Sequence, residues 1–296
     1  CITERQTVMD KELDYGQTEE RDRKKARAGK TGTYIFLSFW ALVVLFPFYW
    51  MISSSLKSGF EVIQTPPTML PEKVMWSNYS TAFSMAPFGR YFINTIIVTA
   101  LSIISTVVIS ILSAFAFSHL EFKGRDLIFS IFIASMMIPG EVLIVNNFKT
   151  ISNLGMIDTY TSLFIPYAAS VLYIYMLREF FLTVPKPLYY AAKIDGAGDW
   201  KFLWKVLVPI AKPSIITISI LVGINSWNAF LWPLLVTNNE NMRVLATGLT
   251  AFQSDAGNQY ELLMAASSII TVPIVGVYVF LHKKIMNGIS LGGTKG

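Results

Sequence analysis

Six long apolar runs limit what this chain can fold into more than any other feature of its sequence. A helix needs about 20 apolar residues to cross the hydrocarbon core of a bilayer. Pro139, Gly140 and Glu141 interrupt the third run, which is the weakest, and charged residues make up only 15% of the chain. The sequence therefore predicts an all-α integral membrane protein with six transmembrane helices. These are 34–53, 91–117, 127–148, 160–177, 215–236 and 262–281.

The positions of Lys and Arg predict the orientation of the spans. With six spans, both termini lie on one side, together with the loop near Gly124, the end of the fourth span and the loop 184–213. That side holds 19 of the 24 Lys and Arg residues. Because Lys and Arg are enriched in cytoplasmic loops, we expect both termini and loop 184–213 to be cytoplasmic and segment 237–261 to be external. The net charge of +5 then reflects topology, and we expect no nucleic-acid partner.

The leader, 1–33, carries many acidic residues beside its basic ones. This mixture favours a solvated surface over a lipid-binding patch. Elsewhere the chain lacks the patterns of common catalytic and metal sites. Cys1 is the single cysteine, His119 and His282 are isolated, and no G-x-x-x-x-G-K-[ST] pattern occurs. We therefore expect a chain without its own ATP-binding P-loop, which is not an enzyme and binds no metal or cofactor.

The loop 184–213 contains the stretch "YYAAKIDGAGDW" and is predicted to form a helix, a turn and a second helix. Pro185 and Pro187 suit the first turn of a helix, and the two alanines that follow favour its interior. Gly196 and Gly198 end this helix, and Gly196 is expected to need a positive φ. Asp199 is predicted to cap the second helix.

The second helix of this loop is amphipathic. Pro209 and Pro213 are expected to end it before the fifth span. Such a helix can lie in a groove on a partner protein, or it can order the loop against lipid, and periodicity alone leaves both interpretations open. Its apolar face is Phe202, Leu203, Val206 and Leu207.

This loop resembles a motif in the membrane subunits of binding-protein-dependent ABC importers, whose pattern is E-A-A-x3-G-x9-I-x-L-P. Tyr190 stands where that motif has its acid, which is the one clear departure. Asp195-Gly196-Ala197 is similar to the D-G-A form found in sugar permeases. The other matching residues are Ala191, Ala192, Val206, Val208 and Pro209.

Further stretches resemble the maltose-type oligosaccharide permeases, in the family's order and over about 34–296. They resemble the permease type with six spans and a G-x-K-G-like tail. The stretches are "FPFYWMISSSLKS", "TPPTMLPEKVMWSNYSTAF", "YFINTIIVT", "SWNAFLWPLLV" and "NGISLGGTKG".

This resemblance implies the type I ABC importer permease architecture in a bacterial inner membrane, with the permease domain at 34–296 and its coupling loop at 184–213. It implies a second, similar permease, two ATPase subunits that carry ATP and Mg, an external solute-binding protein and an oligosaccharide substrate. Loop 184–213 is expected to dock on an ATPase subunit. The docking residues would be Tyr190, Ala191, Ala192, Asp195, Gly196, Ala197, Phe202 and Pro209.

Polar and aromatic residues within the apolar runs are candidates for a sugar path. Polar groups inside a membrane usually face the bundle or a cavity. For each amide, a hydrogen bond between helices is the simpler interpretation, and a Trp near the end of a span often lies at the lipid headgroups. The candidates are Asn94, Glu141, Asn225, Trp227, Asn228 and Trp232.

Two other classes of protein remain alternatives. A self-contained secondary carrier could move protons on Glu141, but the sequence has no inverted repeat of broken helices. A membrane scaffold would not need the Ala-Ala-x3-Gly loop. Recovery of an ATPase with this chain would separate the importer from both alternatives.

Overall fold

The computed structural model describes residues 30–254 and 257–290. The predicted leader therefore lies mostly outside the described residues, as does the end of the G-x-K-G-like tail. The regular secondary structure of the described residues is helical apart from one short hairpin of β1 (Gln253–Ser254) and β2 (Gly257–Asn258). This confirms the predicted all-α class.

The elements follow one another along the chain, with the longest stretch between helices at 64–76. Between α5 and α6 lies a 3-10 turn at Gly140–Leu143, and a π turn at Leu203–Leu207 continues α10. The helices are α1 (Lys30–Ser55), α2 (Gly59–Ile63), α3 (Ser77–Met85), α4 (Phe88–His119), α5 (Arg125–Ser135), α6 (Ile144–Asn153), α7 (Tyr160–Phe164), α8 (Val171–Thr183), α9 (Lys186–Ile194), α10 (Asp199–Phe202), α11 (Val208–Ile210), α12 (Lys212–Trp227), α13 (Leu231–Val236), α14 (Leu245–Gly248) and α15 (Tyr260–Ser290).

Two of these helices, α1 and α4, are long and apolar enough to cross a membrane unbroken. Three bent pairs bring the total of candidate spans to at most five by length and composition. A shorter apolar helix, Tyr260–Gly276, forms the first part of α15 and overlaps the sixth predicted span. The described helices are therefore compatible with six spans, and the number stays a prediction.

The third and fourth predicted spans are not straight helices, and Pro139 explains the break in the third. The third bends by 91° between α5 and Gly140–Asn153, at the Pro139-Gly140 step. The fourth bends by 53° between Tyr160–Tyr167 and α8. Here a 3-10 turn, Ile165–Tyr167, follows α7 and contains Pro166. The bend comes after this turn, where Ser170 takes an extended conformation just before α8.

The fifth predicted span, 215–236, is also not continuous. Helix α12 ends at Trp227, and the chain resumes as α13 at Leu231. Pro233 gives the reason, because a proline ring clashes with the carbonyl four residues earlier, which here belongs to Ala229. A further bend of 78° separates Asp199–Ile210 from α12, so loop 184–213 turns away from the span that it precedes.

Helix α4 is the centre of the fold, and separate clusters of buried side chains lie along it. One cluster joins α4 to α8 and to loop 184–213 through buried residues such as Phe181 and Leu207. Another joins the start of α4 to α3, α14 and α15, with Phe88 and Tyr91 at its core. A further cluster includes Val98 and connects α4 with residues of α6, α7 and α13.

The two polar loops contact opposite ends of α4. Asn94 donates hydrogen bonds to the carbonyls of Asn241 and Arg243 in segment 237–261, both at 2.8 Å. At the other end, the His119 ring lies 5.5 Å from the ring of Tyr189 in loop 184–213. Residues 94 and 119 are about 37 Å apart along an ideal helix, which exceeds the roughly 30 Å of a hydrocarbon core.

Candidate functional site

The turn between α9 and α10 is closed by two backbone hydrogen bonds. The N–H of Ala197 donates to the carbonyl of Ala192 at 2.8 Å, and that of Gly196 donates to Lys193 at 3.0 Å. This pair of bonds is a Schellman motif, which places the residue at Gly196 in the left-handed region. Gly196 has a φ of 75°, which confirms the predicted need for a positive φ.

The predicted cap of the second helix is wrong by one residue. Helix α10 begins at Asp199, and Gly198 occupies the capping position with φ −70° and ψ 167°. The Asp199 carboxylate instead accepts a hydrogen bond from the Tyr189 hydroxyl at 2.5 Å and contacts Lys193 Nζ at 2.7 Å. Asp199 therefore ties α10 back to α9.

This network shifts the pKa values of its members. Hydrogen bonds from Lys193 and then Tyr189 hold the pKa of Asp199 below its usual value. The hydrogen bond to Asp199 raises the pKa of Lys193. Burial, together with the bond to Asp199, raises the pKa of Tyr189. The Lys193–Asp199 pair is therefore fully charged near neutral pH.

The two adjacent tyrosines point in different directions. The Tyr189 ring packs edge-on against Phe202 at 5.0 Å and against His119. The Tyr190 side chain is 56% exposed. Of the two, Tyr190 is thus the one available to a partner protein.

A set of exposed residues, which we call the docking face, lies on both sides of the turn. It consists of Tyr190, Ala191, Ile194 and Trp200. Ile194 is 87% exposed and Trp200 is 65% exposed, although both are strongly apolar. Covering side chains of this size removes apolar area from water, which favours a partner at this surface. Sequence reasoning missed Ile194 and Trp200, whose only signal is that they lie off the apolar faces of the two short helices.

The other predicted docking residues divide between the surface and the interior. Asp195, Gly196 and Pro209 are exposed, as Ala191 is. Ala192 and Ala197 are half-buried, and Phe202 is 1% exposed. Phe202 therefore fixes the loop to the membrane-spanning part.

The polar atoms of two sugar-path candidates already form hydrogen bonds within the fold. Asn94 is fully buried, and its oxygen accepts a hydrogen bond from the Tyr160 hydroxyl at 2.8 Å while its nitrogen holds segment 237–261. Trp232 is 4% exposed and donates to the Ser162 carbonyl at 2.8 Å. Both side chains connect elements of the fold.

Three candidates lie at the end of α12, where the fifth segment breaks. Asn225 is exposed, and its amide lies 3.3 Å from the Tyr173 hydroxyl. Asn228 is exposed, and its nitrogen donates to the carbonyl of Ile224. The Trp227 ring packs on Phe92, and its indole N–H is buried without an acceptor among the described residues.

Glu141 lies at another break. It belongs to the 3-10 turn between α5 and α6, where the chain bends by 91°, and it is exposed in this single chain. Irregular backbone at membrane depth lies against protein or a water-filled cavity. The structure thus brings Glu141 to a broken segment but shows no contact between it and the residues at the end of α12.

Comparison with known families agrees with the resemblance read from the motifs. Residues 106–289, which include loop 184–213, match the family described as "Binding-protein-dependent transport system inner membrane component". The chain belongs to this family and is a permease subunit of a binding-protein-dependent ABC importer.

Characterised relatives are similar over almost their whole length. The chain is 31% identical to the sn-glycerol-3-phosphate transport system permease protein UgpE of Yersinia enterocolitica, over 86% of this chain and 94% of that protein. It is 30% identical to the arabinooligosaccharides transport system permease protein AraQ of Bacillus subtilis, over 88% of this chain and 94% of that protein. These relatives are permease subunits and are not themselves enzymes.

Solved structures share the fold. A chain of a bacterial ABC transporter involved in the import of the acidic polysaccharide alginate matches with a TM-score of 0.76 and 25% identity, covering 87% of this chain and 96% of that one. A chain of the alginate transporter in complex with an alginate pentasaccharide-bound periplasmic protein matches with a TM-score of 0.59 and 17% identity, covering 83% and 91%.

Proposed function

We propose that this permease subunit translocates an oligosaccharide across a bacterial inner membrane, driven by ATP hydrolysis on separate ATPase subunits. The observation that carries the proposal is the docking face, in which exposed apolar side chains surround a rigid glycine turn. The similarity to an arabinooligosaccharide permease supports the substrate class. One relative carries sn-glycerol-3-phosphate in its name, and the motifs of the maltose-type permeases favour a sugar.

The transporter would contain a second permease, two ATPase subunits that hold ATP and Mg, and an external solute-binding protein. Helix α1 supports a partner within the membrane, because none of its apolar window is buried in this chain. The alginate transporter that matches in fold is seen with a periplasmic protein. Contacts at opposite ends of α4 support opposite sides of the membrane for loop 184–213 and segment 237–261. The excess of Lys and Arg beside the loop favours the cytoplasm for loop 184–213.

The docking face would enter a cleft on one ATPase subunit. Ile194 and Trp200 would supply the buried apolar contact, and the exposed Tyr190 would replace the charge of the family's usual acid with a ring. Phe202 and Tyr189 would transmit force, because both rings pack against His119 at the end of α4. ATP-driven closure would then move the spans between inward-open and outward-open states.

The sugar path is proposed at the helix breaks. Asn225, Asn228 and Glu141 are exposed there, and Trp227 supplies an aromatic face beside them in sequence. Amide and carboxylate oxygens accept hydrogen bonds from sugar hydroxyls. Asn94 and Trp232 are less suited to sugar contact, because their polar atoms are used within the fold.

Two experiments test this function. The first is affinity purification of the tagged chain from native membranes, in which we expect an ATPase with a P-loop to be recovered. The second is uptake of a labelled arabinooligosaccharide into vesicles, with Glu141→Gln beside the native chain. An importer keeps ATP-driven uptake in Glu141→Gln, whereas a carrier that moves protons on Glu141 would lose uptake and would respond to a pH gradient without ATP.

A further inference from the structure

His119, the last residue of α4, is surrounded by aromatic rings from three other elements. Its ring centroid lies 6.4 Å from that of Phe181 in α8 and 5.6 Å from that of Phe202 in α10. Tyr189 of α9 approaches to 5.5 Å, edge to face. Within α4, Phe115 stacks on the His119 ring at 5.5 Å. The end of α4 thus contacts the end of α8 and both helices of loop 184–213, α9 and α10.

The rings around His119 belong to the tightly packed core of the protein. Phe181 is fully buried and Phe202 is 1% exposed, and Leu203 and Leu207 continue the same cluster. Packed interiors behave as rigid bodies that shift between discrete arrangements. A displacement of the loop therefore cannot be absorbed in this cluster without a cavity opening.

Polar contacts fix the orientation of the two central rings. His119 Nδ1 lies 2.8 Å from the Ser118 hydroxyl. The Tyr189 hydroxyl donates to Asp199, which also contacts Lys193. Tyr189 thus connects α4 to loop 184–213. Its ring contacts His119 of α4, and its hydroxyl joins α9 to α10.

From these contacts we infer that the packing of His119 against Tyr189 makes loop 184–213 and the cytoplasmic end of α4 move as one rigid body. We call this pair of residues the joint. His119 is a positioning residue in this joint, and it acts through the fit of its ring. The inference rests on the proposed function, in which an ATPase subunit binds loop 184–213 and displaces it. Energetic coupling between distant sites travels through packed side chains of this kind.

The test measures a distance across the joint in the assembled transporter. Spin labels are placed at Lys205→Cys, on the exposed side of the loop, and at Leu112→Cys, which is 37% exposed on α4, in a chain with Cys1→Ser. The interlabel distance is recorded without nucleotide and after trapping with ATP and vanadate. We expect a single narrow distance, unchanged by trapping, in the otherwise native chain.

Replacement of His119 tests whether its ring is needed to keep the interlabel distance fixed. His119→Ala should broaden the trapped distribution and lose the single peak, while His119→Phe, which keeps an aromatic ring, should restore it. Phe122→Ala is the matched control, since the Phe122 ring contacts Phe117 and is 42% exposed. His119→Leu is measured in parallel, because it fills much of the same space without a ring.

Each outcome bears on the inference separately from the proposed function. A native-like distance in assembled His119→Ala or His119→Leu would overturn the joint while leaving ATP-driven import intact. Failure of both variants to assemble would also count against it, because it would show a general folding role. If the native chain recovers no ATPase at all, the proposed function itself is wrong.

Discussion

The N–H of Ala197 donates to the carbonyl of Ala192 at 2.8 Å, and this bond spans the turn that holds Gly196 at a φ of 75°. A side chain in this conformation costs about 1–2 kcal/mol. No described atom lies within 4 Å of a Cβ built on Gly196, so the strain comes from the backbone alone. We expect Gly196→Leu to reach the membrane but to uncouple ATP hydrolysis from transport, as measured in vesicles.

Gly198 is the matched control for this prediction. A Cβ there also meets open space, but its φ is −70°, which any residue adopts. Gly198→Ala should therefore hydrolyse ATP and transport in the native ratio. Full coupling in Gly196→Leu would remove the turn from the docking mechanism.

Tyr190 is expected to hold the ATPase by packing, because it has no carboxylate to form an ion pair and its ring is exposed. Stacking on an Arg guanidinium contributes about 0.5–1 kcal/mol at such a site. Tyr190→Ala should weaken assembly at every salt concentration, whereas Tyr190→Glu should assemble well only at low salt. The measurement is ATPase recovery over a salt series.

The neighbouring tyrosine supplies the comparison. Tyr189→Phe keeps the ring against His119 and loses only the contacts of the hydroxyl with Asp199 and Lys193, so its salt dependence should match that of the native chain. Assembly of Tyr190→Ala equal to native throughout the series would leave Ile194 and Trp200 as the anchors of the loop.

The hairpin of β1 and β2 is expected to reach the external binding protein. Its segment is seated on α4, where Thr95 Oγ1 accepts a hydrogen bond from the backbone N–H of Leu245 at 2.9 Å. Shortening 253–259 should therefore leave basal ATPase activity in place and reduce its stimulation by the loaded binding protein. Unchanged stimulation would make the hairpin a simple connector.

Gly248 lies where segment 237–261 packs on α4, and its replacement gives a contrasting variant. A Cβ on Gly248 would lie 2.8 Å from Cδ2 of the buried Tyr91 ring. Gly248→Ala should therefore disturb the anchored part and lower basal activity as well as stimulation. The two variants separate the hairpin from its support.

Glu61 is predicted to order the segment that follows α1. Burial alone would raise its pKa, but the backbone N–H of Glu72, the hydroxyl of Thr68 and the charge of Lys57 hold that pKa below its ordinary value. A lowered folded-state pKa gives stability that is present above about pH 4.3 and is lost as pH falls through the folded value.

Replacement of this carboxylate imitates its protonation at neutral pH. Glu61→Gln should speed hydrogen exchange in residues 59–75 at pH 7, while Glu72→Gln, whose side chain is exposed, should not. Native exchange in this segment should stay slow down to about pH 5. Equal exchange in Glu61→Gln and the native chain would contradict the assigned role.

Local rules predicted the parts of this molecule that depend on local chemistry. The positive φ of Gly196 and the helix before it follow from glycine, proline and alanine alone. Asp199 failed as a cap because Tyr189 and Lys193, ten and six residues earlier, hold its carboxylate. That contact exists only once the two helices fold together.

In the membrane segments too, some features follow from the local sequence and others depend on tertiary contacts. Apolar length alone predicted a continuous fifth span, although Pro233 is a visible reason for the gap after Trp227. Asn94 could be placed in a span but not given partners, since these lie about 150 residues later in the chain, at Asn241 and Arg243. Tertiary contacts of this kind leave no local pattern in the sequence.

The proposed function requires the docking face to contact an ATPase, and photo-crosslinking detects that contact itself. Benzoylphenylalanine is placed at Trp200, which is 65% exposed on that face, and separately at Phe60, which is 78% exposed in the segment after α1. We expect irradiation of native membranes to join the chain to an ATPase subunit from position 200 and not from position 60. An ATPase crosslink from position 60, or none from position 200 in a transporter that hydrolyses ATP, would contradict it.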